Sequence, residues 1–192
     1  MHPMLSRLES DHQRMLKMLY TLNAEVSKFY GLHRGKADVD TILSILDYIQ
    51  VYPEKWHHPI EDILFAHLAQ HPLADQHAIA EVQRDHQRLE ALSDRLVQIF
   101  GELRLAQSKA GLSVIRLCKH YYTRQISHIH DERRLFLDAE KMLTADQWQR
   151  IEDEIEHYLD QEAIDERDAY LALLRQPQSA SSTATTVHES RK

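Results

Sequence analysis

The sequence predicts an all-α protein, an up-down four-helix bundle followed by one more helix and a polar tail. Three observations carry this expectation. Apolar residues recur every three or four positions through four successive long stretches. Only 4 glycines and 5 prolines interrupt the 192 residues, and Gly31, Gly35, Pro72 and Gly111 fall between those stretches. Histidines and glutamates also sit on the apolar stripes, where polar groups are unwelcome unless something buried holds them.

The first helix is predicted from Met4 to Phe29, with the stripe Leu5, Leu8, His12, Met15, Leu19, Leu22, Val26 and Phe29. Two glycines within Gly31 to Lys36 mark the turn after it, and Asp38 or Asp40 caps the next helix. That second helix spans Val39 to His71 on Ile42, Leu46, Ile49, Pro53, His57, Glu61, Leu64 and Leu68. Pro53 and Pro59 each remove an intrahelical hydrogen bond, so a distortion or short break is expected at His57. Pro72 ends the helix.

The third helix runs from Ala74 to near Gln107 on Ile79, Val82, His86, Leu89, Leu96, Ile99 and Leu103. After a turn at Ser108 to Ser113, the fourth continues to Met142. Its stripe is Val114, Leu117, Tyr121, Gln125, His128, Glu132, Leu135, Ala139 and Met142. A fifth helix opens at Thr144, where Thr144 and Gln147 form a capping box beside a Leu143–Trp148 staple, and it extends to about Leu174. The expected organisation is a bundle over 1–143, a helical extension packed on it over 144–175, and a disordered tail over 176–192.

Composition excludes several classes of function. The net charge of −7 argues against a nucleic-acid partner. One cysteine, Cys118, rules out an intrachain disulfide and fits a reducing cytoplasm, where the protein is expected. The N-terminus has no continuous apolar core and no run of 18 apolar residues occurs, so neither a secretory signal nor a membrane partner is expected.

Six stripe residues then stand out: His12, His57, Glu61, His86, His128 and Glu132. Both His-x3-Glu pairs have i, i+4 spacing, which stacks an imidazole and a carboxylate on one helix face. A lone histidine on such a stripe is usually an ordinary core residue. A buried ionised glutamate is different, costing several kcal/mol unless paired or metal-bound. The heights agree as well. His12 lies 19 residues before the first turn and His57 19 after it, and the His57/Glu61 pair and His86 each lie about 12 from the second turn. The third turn fits less well, 23 residues against 17, and a shorter third helix would close that gap. Imidazole and carboxylate without thiolate suit iron or manganese better than structural zinc, and two ions bridged by both carboxylates use the set economically.

In this order the residues resemble the H…HxxxE…H…HxxxE signature of the hemerythrin-like, or HHE cation-binding, family. WHHPIEDILF (Trp56 to Phe65) and DHQRLEAL (Asp85 to Leu92) are similar to its second- and third-helix motifs, and the resemblance covers roughly residues 5 to 140. It implies a four-helix bundle with a non-haem di-iron centre, Glu61 and Glu132 bridging and the four histidines as terminal ligands. Oxygen-carrying members have His-x3-His on the third helix, where this chain has Glu90, and end in His-x4-Asp rather than His-x3-Glu. The implied function is binding of a small diatomic ligand, O2 or NO, at two iron ions or another divalent metal. Two alternatives are a redox enzyme or iron donor in nitric oxide or peroxide stress and iron–sulfur cluster repair, and an iron or oxygen sensor acting through a protein partner. A homodimer is compatible with all three.

Neighbouring residues receive weaker roles. His58, about 100° from His57 on an ideal helix, is expected at the rim and is a candidate additional ligand. Glu90 is expected to be solvated. Tyr121 and Gln125 are candidates for orienting a ligand, and Cys118 reads as a small core residue.

Overall fold

The structure is a computed structural model and describes residues 1–31 and 35–175. Part of the first predicted turn and the predicted tail over 176–192 lie outside the described residues. Among those described, the regular structure is entirely helical: α1 (Pro3–Lys28), α2 (Val39–Tyr52), a π-helical turn (Pro53–His57), α3 (His58–Leu68), α4 (Gln76–Leu105), α5 (Leu112–Met142), α6 (Ala145–Tyr158) and α7 (Gln161–Arg175). None of these helices is long and apolar enough to cross a membrane.

The described residues fall into two units, 1–158 and a second that begins at Leu159. In the first, α2, the π turn and α3 form one uninterrupted rod. α1 packs on α2 and α5, and α4 packs on the same two, which closes a four-membered helical bundle. Local chemistry sets the helix starts. Pro3 sits at the head of α1, where its missing N–H costs nothing. Asp38, one of the two expected caps, accepts from the N–H groups of Asp40 and Thr41, and Asp75 accepts from Ala78.

The stripes of the last two bundle helices differ from expectation by one position. α4 buries Phe100 rather than Ile99, and α5 buries Ile115 and Cys118 rather than Val114 and Leu117. Both expected stripes had the correct register at the histidine level and drifted away from it, as integer spacings do against a period of 3.6. α4 also ends at Leu105, earlier than expected. His86 then lies 19 residues before the end of α4 and the His128/Glu132 midpoint 18 after the start of α5, so the third pair of heights agrees.

The expected fifth helix is in fact two. The capping box is present, with the Thr144 N–H donating to Gln147 Oε1 at 2.9 Å and Thr144 Oγ1 accepting from the Gln147 N–H at 3.4 Å. The helix stops at Tyr158, and Asp160 caps a new one by accepting from the Ala163 N–H at 2.8 Å. Within the first unit, α6 packs on α3. His67 meets Glu154 at 2.8 Å, and the His2 ring stacks on Trp148 at 4.0 Å. α7 belongs to the second unit.

Candidate metal centre

Four helical rods deliver seven polar side chains to one level of the bundle. α1 supplies His12, the π turn His57, α3 His58 and Glu61, α4 His86, and α5 His128 and Glu132; all are buried. The two prolines explain the π turn. Pro59 has no N–H for the Lys55 carbonyl, and its ring would press on that carbonyl in a regular α-helix. The backbone widens instead, and the His58 N–H donates to the Pro53 carbonyl five residues back. The expected distortion is therefore present without a break. It also turns His58 inward: the side chain expected at the rim is only 3% exposed.

The seven residues form two facing sets. On one side, His12 Nε2 and His57 Nε2 lie 3.3 and 3.1 Å from Glu61 Oε1, and His12 Nε2 lies 3.1 Å from Glu132 Oε2. Opposite them, His86 Nε2 and His128 Nε2 lie 3.1 and 2.8 Å from Glu132 Oε1, while Glu61 Oε2 is 3.7 Å from His86 Nε2. Each glutamate thus turns one oxygen to each side. His58 joins the second set, its ring stacked on His86 at 4.2 Å. Ligand atoms of His58, His86 and His128 lie within 4.8 Å of one another, as do those of His12, His57 and Glu61, and those of Glu61, His86 and Glu132.

The donor set fits divalent cations. The Nε2 atoms of His12, His57 and His128, both Glu61 oxygens and Glu132 Oε2 are buried without a hydrogen-bond partner, although imidazole and carboxylate are close. They stand at hydrogen-bond distance without hydrogen-bond direction, the arrangement of groups aimed at a shared third partner. Glu61 is fully buried, and its charge is costly there without a cation.

Electrostatics shows how strongly the site attracts positive charge. Burial pushes the Glu132 carboxyl up, but His128, His12 and His86 outweigh it and hold it well below the usual carboxylate range. Burial pushes His12 down, yet Glu132, Glu61 and Glu9 raise it well above an ordinary imidazole. Against the same burial penalty, Glu61 and Asp11 raise His57, and Asp62 and Glu132 bring His86 to about 10. His58 goes the other way. Burial and the imidazoles of His86, His128 and His57 push it well below its ordinary value, so it remains the neutral form that donates to metals.

Three outer carboxylates stand outside the residues that the sequence singles out. Glu9 Oε2 is 3.6 Å from His12 Nδ1, Asp11 Oδ2 is 3.5 Å from His57 Nδ1, and Asp62 Oδ1 is 3.1 Å from His86 Nδ1. Arg133 fixes Glu9 through a fork at 2.8 and 2.5 Å, and the Tyr52 hydroxyl donates to Asp11 at 3.0 Å. A carboxylate behind the ring leaves Nε2 as the inward donor. Only Glu9, three residues before His12 and on its helix face, gave a signal in the sequence.

The remaining named residues fall around this core. The Gln125 amide donates to the Tyr121 hydroxyl at 3.0 Å, and both are buried beneath His128 on α5. Glu90 is 41% exposed, as its position off the stripe suggested, and lies 4.0 Å from His58. Cys118 is a buried free thiol, pushed up to about 12 by burial.

A family model described as Hemerythrin HHE cation binding domain matches residues 4–140. Comparisons with curated proteins and with solved structures returned no match.

Proposed function

The chain belongs to the hemerythrin HHE cation-binding domain family, and on that premise we propose that it holds two iron ions and binds a small diatomic ligand, O2 or NO, in the cytoplasm. One observation carries this reading. Glu61 and Glu132 each face both sets of histidines, one oxygen to a side, as bridging carboxylates between two cations do. His12 and His57 would hold one ion and His58, His86 and His128 the other. Nitrogen and oxygen donors without thiolate suit iron.

When bound, the iron pair supplies redox chemistry and an exchangeable coordination position. The protein supplies the rest. The His12 side offers two imidazoles and two carboxylate oxygens against three imidazoles and two carboxylate oxygens opposite, so it is the less filled side and the one that accepts the small ligand. Phe136 lies parallel to the His12 ring at 5.4 Å with Phe65 behind it, an apolar wall that excludes water and suits an uncharged diatomic molecule. Glu9 and Asp11 orient the two imidazoles there.

Anaerobic loading with Fe(II), metal analysis by mass spectrometry, and spectra before and after air or NO test the proposal. The expected result is two irons per chain and a new absorbance with each gas. Protein that binds no iron, or loaded protein whose spectrum ignores both gases, overturns it.

A further inference from the structure

The two flanks of the centre differ in their outer charges. On the His12 side, Glu9 is matched by Arg133 and Asp11 by Arg14. Around His58 and His86 the outer groups are acids. Glu90 Oε1 stands 4.0 Å from His58 Nδ1, and Asp62 Oδ1 stands 3.1 Å from His86 Nδ1, with side chains 41% and 44% exposed. Glu54, in the π turn, is tied to the same place: the Ser93 hydroxyl donates to its Oε1 at 2.6 Å and lies 2.8 Å from the Glu90 carbonyl oxygen. These acids repel one another. Burial raises Glu54 to about 7, with Glu90 and Asp94 adding to it, and burial raises Glu90 with Asp62 and Asp94 adding to it.

An acidic cluster alone would mean little, but a buried imidazole faces this one. His58 Nδ1 is buried without a hydrogen-bond partner, and Glu90 is the carboxylate before it. The same ring brings a ligand nitrogen within 4.8 Å of those of His86 and His128. His58 therefore stands between a part-exposed carboxylate and the buried set.

We propose that Glu90, flanked by Glu54 and Asp62, is the capture site through which a divalent cation enters the centre, and that His58 passes the cation inward. The proposal rests on the reading of the centre as a metal site. A hydrated cation is drawn to the negative flank, and a part-exposed carboxylate meets it before the buried imidazoles do. Neutral His58 then offers the next donor, with His86 and His128 behind it. The His12 flank, whose acids are already matched by arginines, lacks this attraction.

Anaerobic stopped-flow uptake of Co(II) by the full-length metal-free protein, followed by its absorbance, tests the route. Glu54→Gln/Glu90→Gln should load roughly tenfold more slowly, yet reach the parent's final stoichiometry. Added salt should slow the parent markedly and the variant little. Glu90→Gln alone should fall between them, and Asp153→Asn, an exposed charge on α6, should load like the parent; circular dichroism verifies that each variant is folded. An unchanged rate and salt dependence in the double variant overturns the route. A lower final stoichiometry overturns it too, since Glu90 would then be a resident ligand. A parent that takes up no Co(II) sinks the metal reading itself, which the other outcomes leave standing.

Discussion

His57 and His58 are consecutive in sequence yet serve opposite sides of the centre, their rings 5.9 Å apart and inclined by 62°. A regular α-helix would turn the second about 100° away from the first. The π turn over Pro53–His57 changes the phase at this one place, so that His57 meets Glu61 and His12 while His58 stacks on His86. The chain thus gains a fifth imidazole from the second rod, although its third bundle helix carries Glu90 where the oxygen-carrying relatives have histidine.

His58→Ala measures this gain. If His58 is a ligand, the variant binds about one ion per chain instead of about two, or binds the second far more weakly. Metal analysis after dialysis against limiting free metal distinguishes the cases. Full occupancy at parental affinity would return His58 to the status of a packing residue.

Removing metal should destabilise the fold, because one centre ties four helical rods and its ligands are scattered in the unfolded chain. A hundredfold excess of metal over Kd stabilises by about 2.7 kcal/mol. For a chain of this length that is roughly 5–11 °C in Tm. Differential scanning calorimetry with and without a chelator makes the comparison, and superimposable transitions would indicate a polar core that needs no cation.

Most of the fold, and six of the seven inward groups, were legible in the sequence because burial leaves a period. His12, His57, Glu61, His86, His128 and Glu132 lie on stripes that can be counted, and helix length converts the count into height. His58 is only half legible: counting 3.6 residues per turn puts it at the rim, and the distortion announced by Pro53 and Pro59 is what keeps it a candidate ligand. Asp11 and Asp62 were illegible because each meets a histidine on a different helical rod, and such pairings appear only after the helices pack. The stop at Tyr158 leaves no clear sign in the sequence, since Asp160 sits inside an acidic run, where its capping role looks like one more solvated charge.

Asp11 offers a test of the outer carboxylates. It lies 3.5 Å from His57 Nδ1 and accepts from Tyr52, so Asp11→Asn keeps the shape and loses the charge behind the ring. Groups in this position typically contribute about 10- to 100-fold to metal affinity. Titration calorimetry with Mn(II) should show a weakening of that order, with the stoichiometry kept. Affinity equal to the parent's would show that Asp11 holds α1 to the π turn and does nothing for the metal.

Glu54 supplies the pH dependence. Its carboxyl is raised from 4.5 to about 7, chiefly by burial, so the native chain holds the proton more tightly than the unfolded chain. The stabilising contribution of the protonated form is therefore complete below about 4.5 and is lost as pH rises through about 7. Glutamine keeps an oxygen to accept from Ser93 and removes the charge that Glu90 and Asp94 oppose. Metal-free Glu54→Gln should melt above the parent at pH 8, and the difference should shrink steadily towards pH 5. Melting curves across that range decide the matter: a constant offset would assign the gain to packing, and a variant less stable at pH 8 would mean that the ionised carboxylate is matched by a cation at that site.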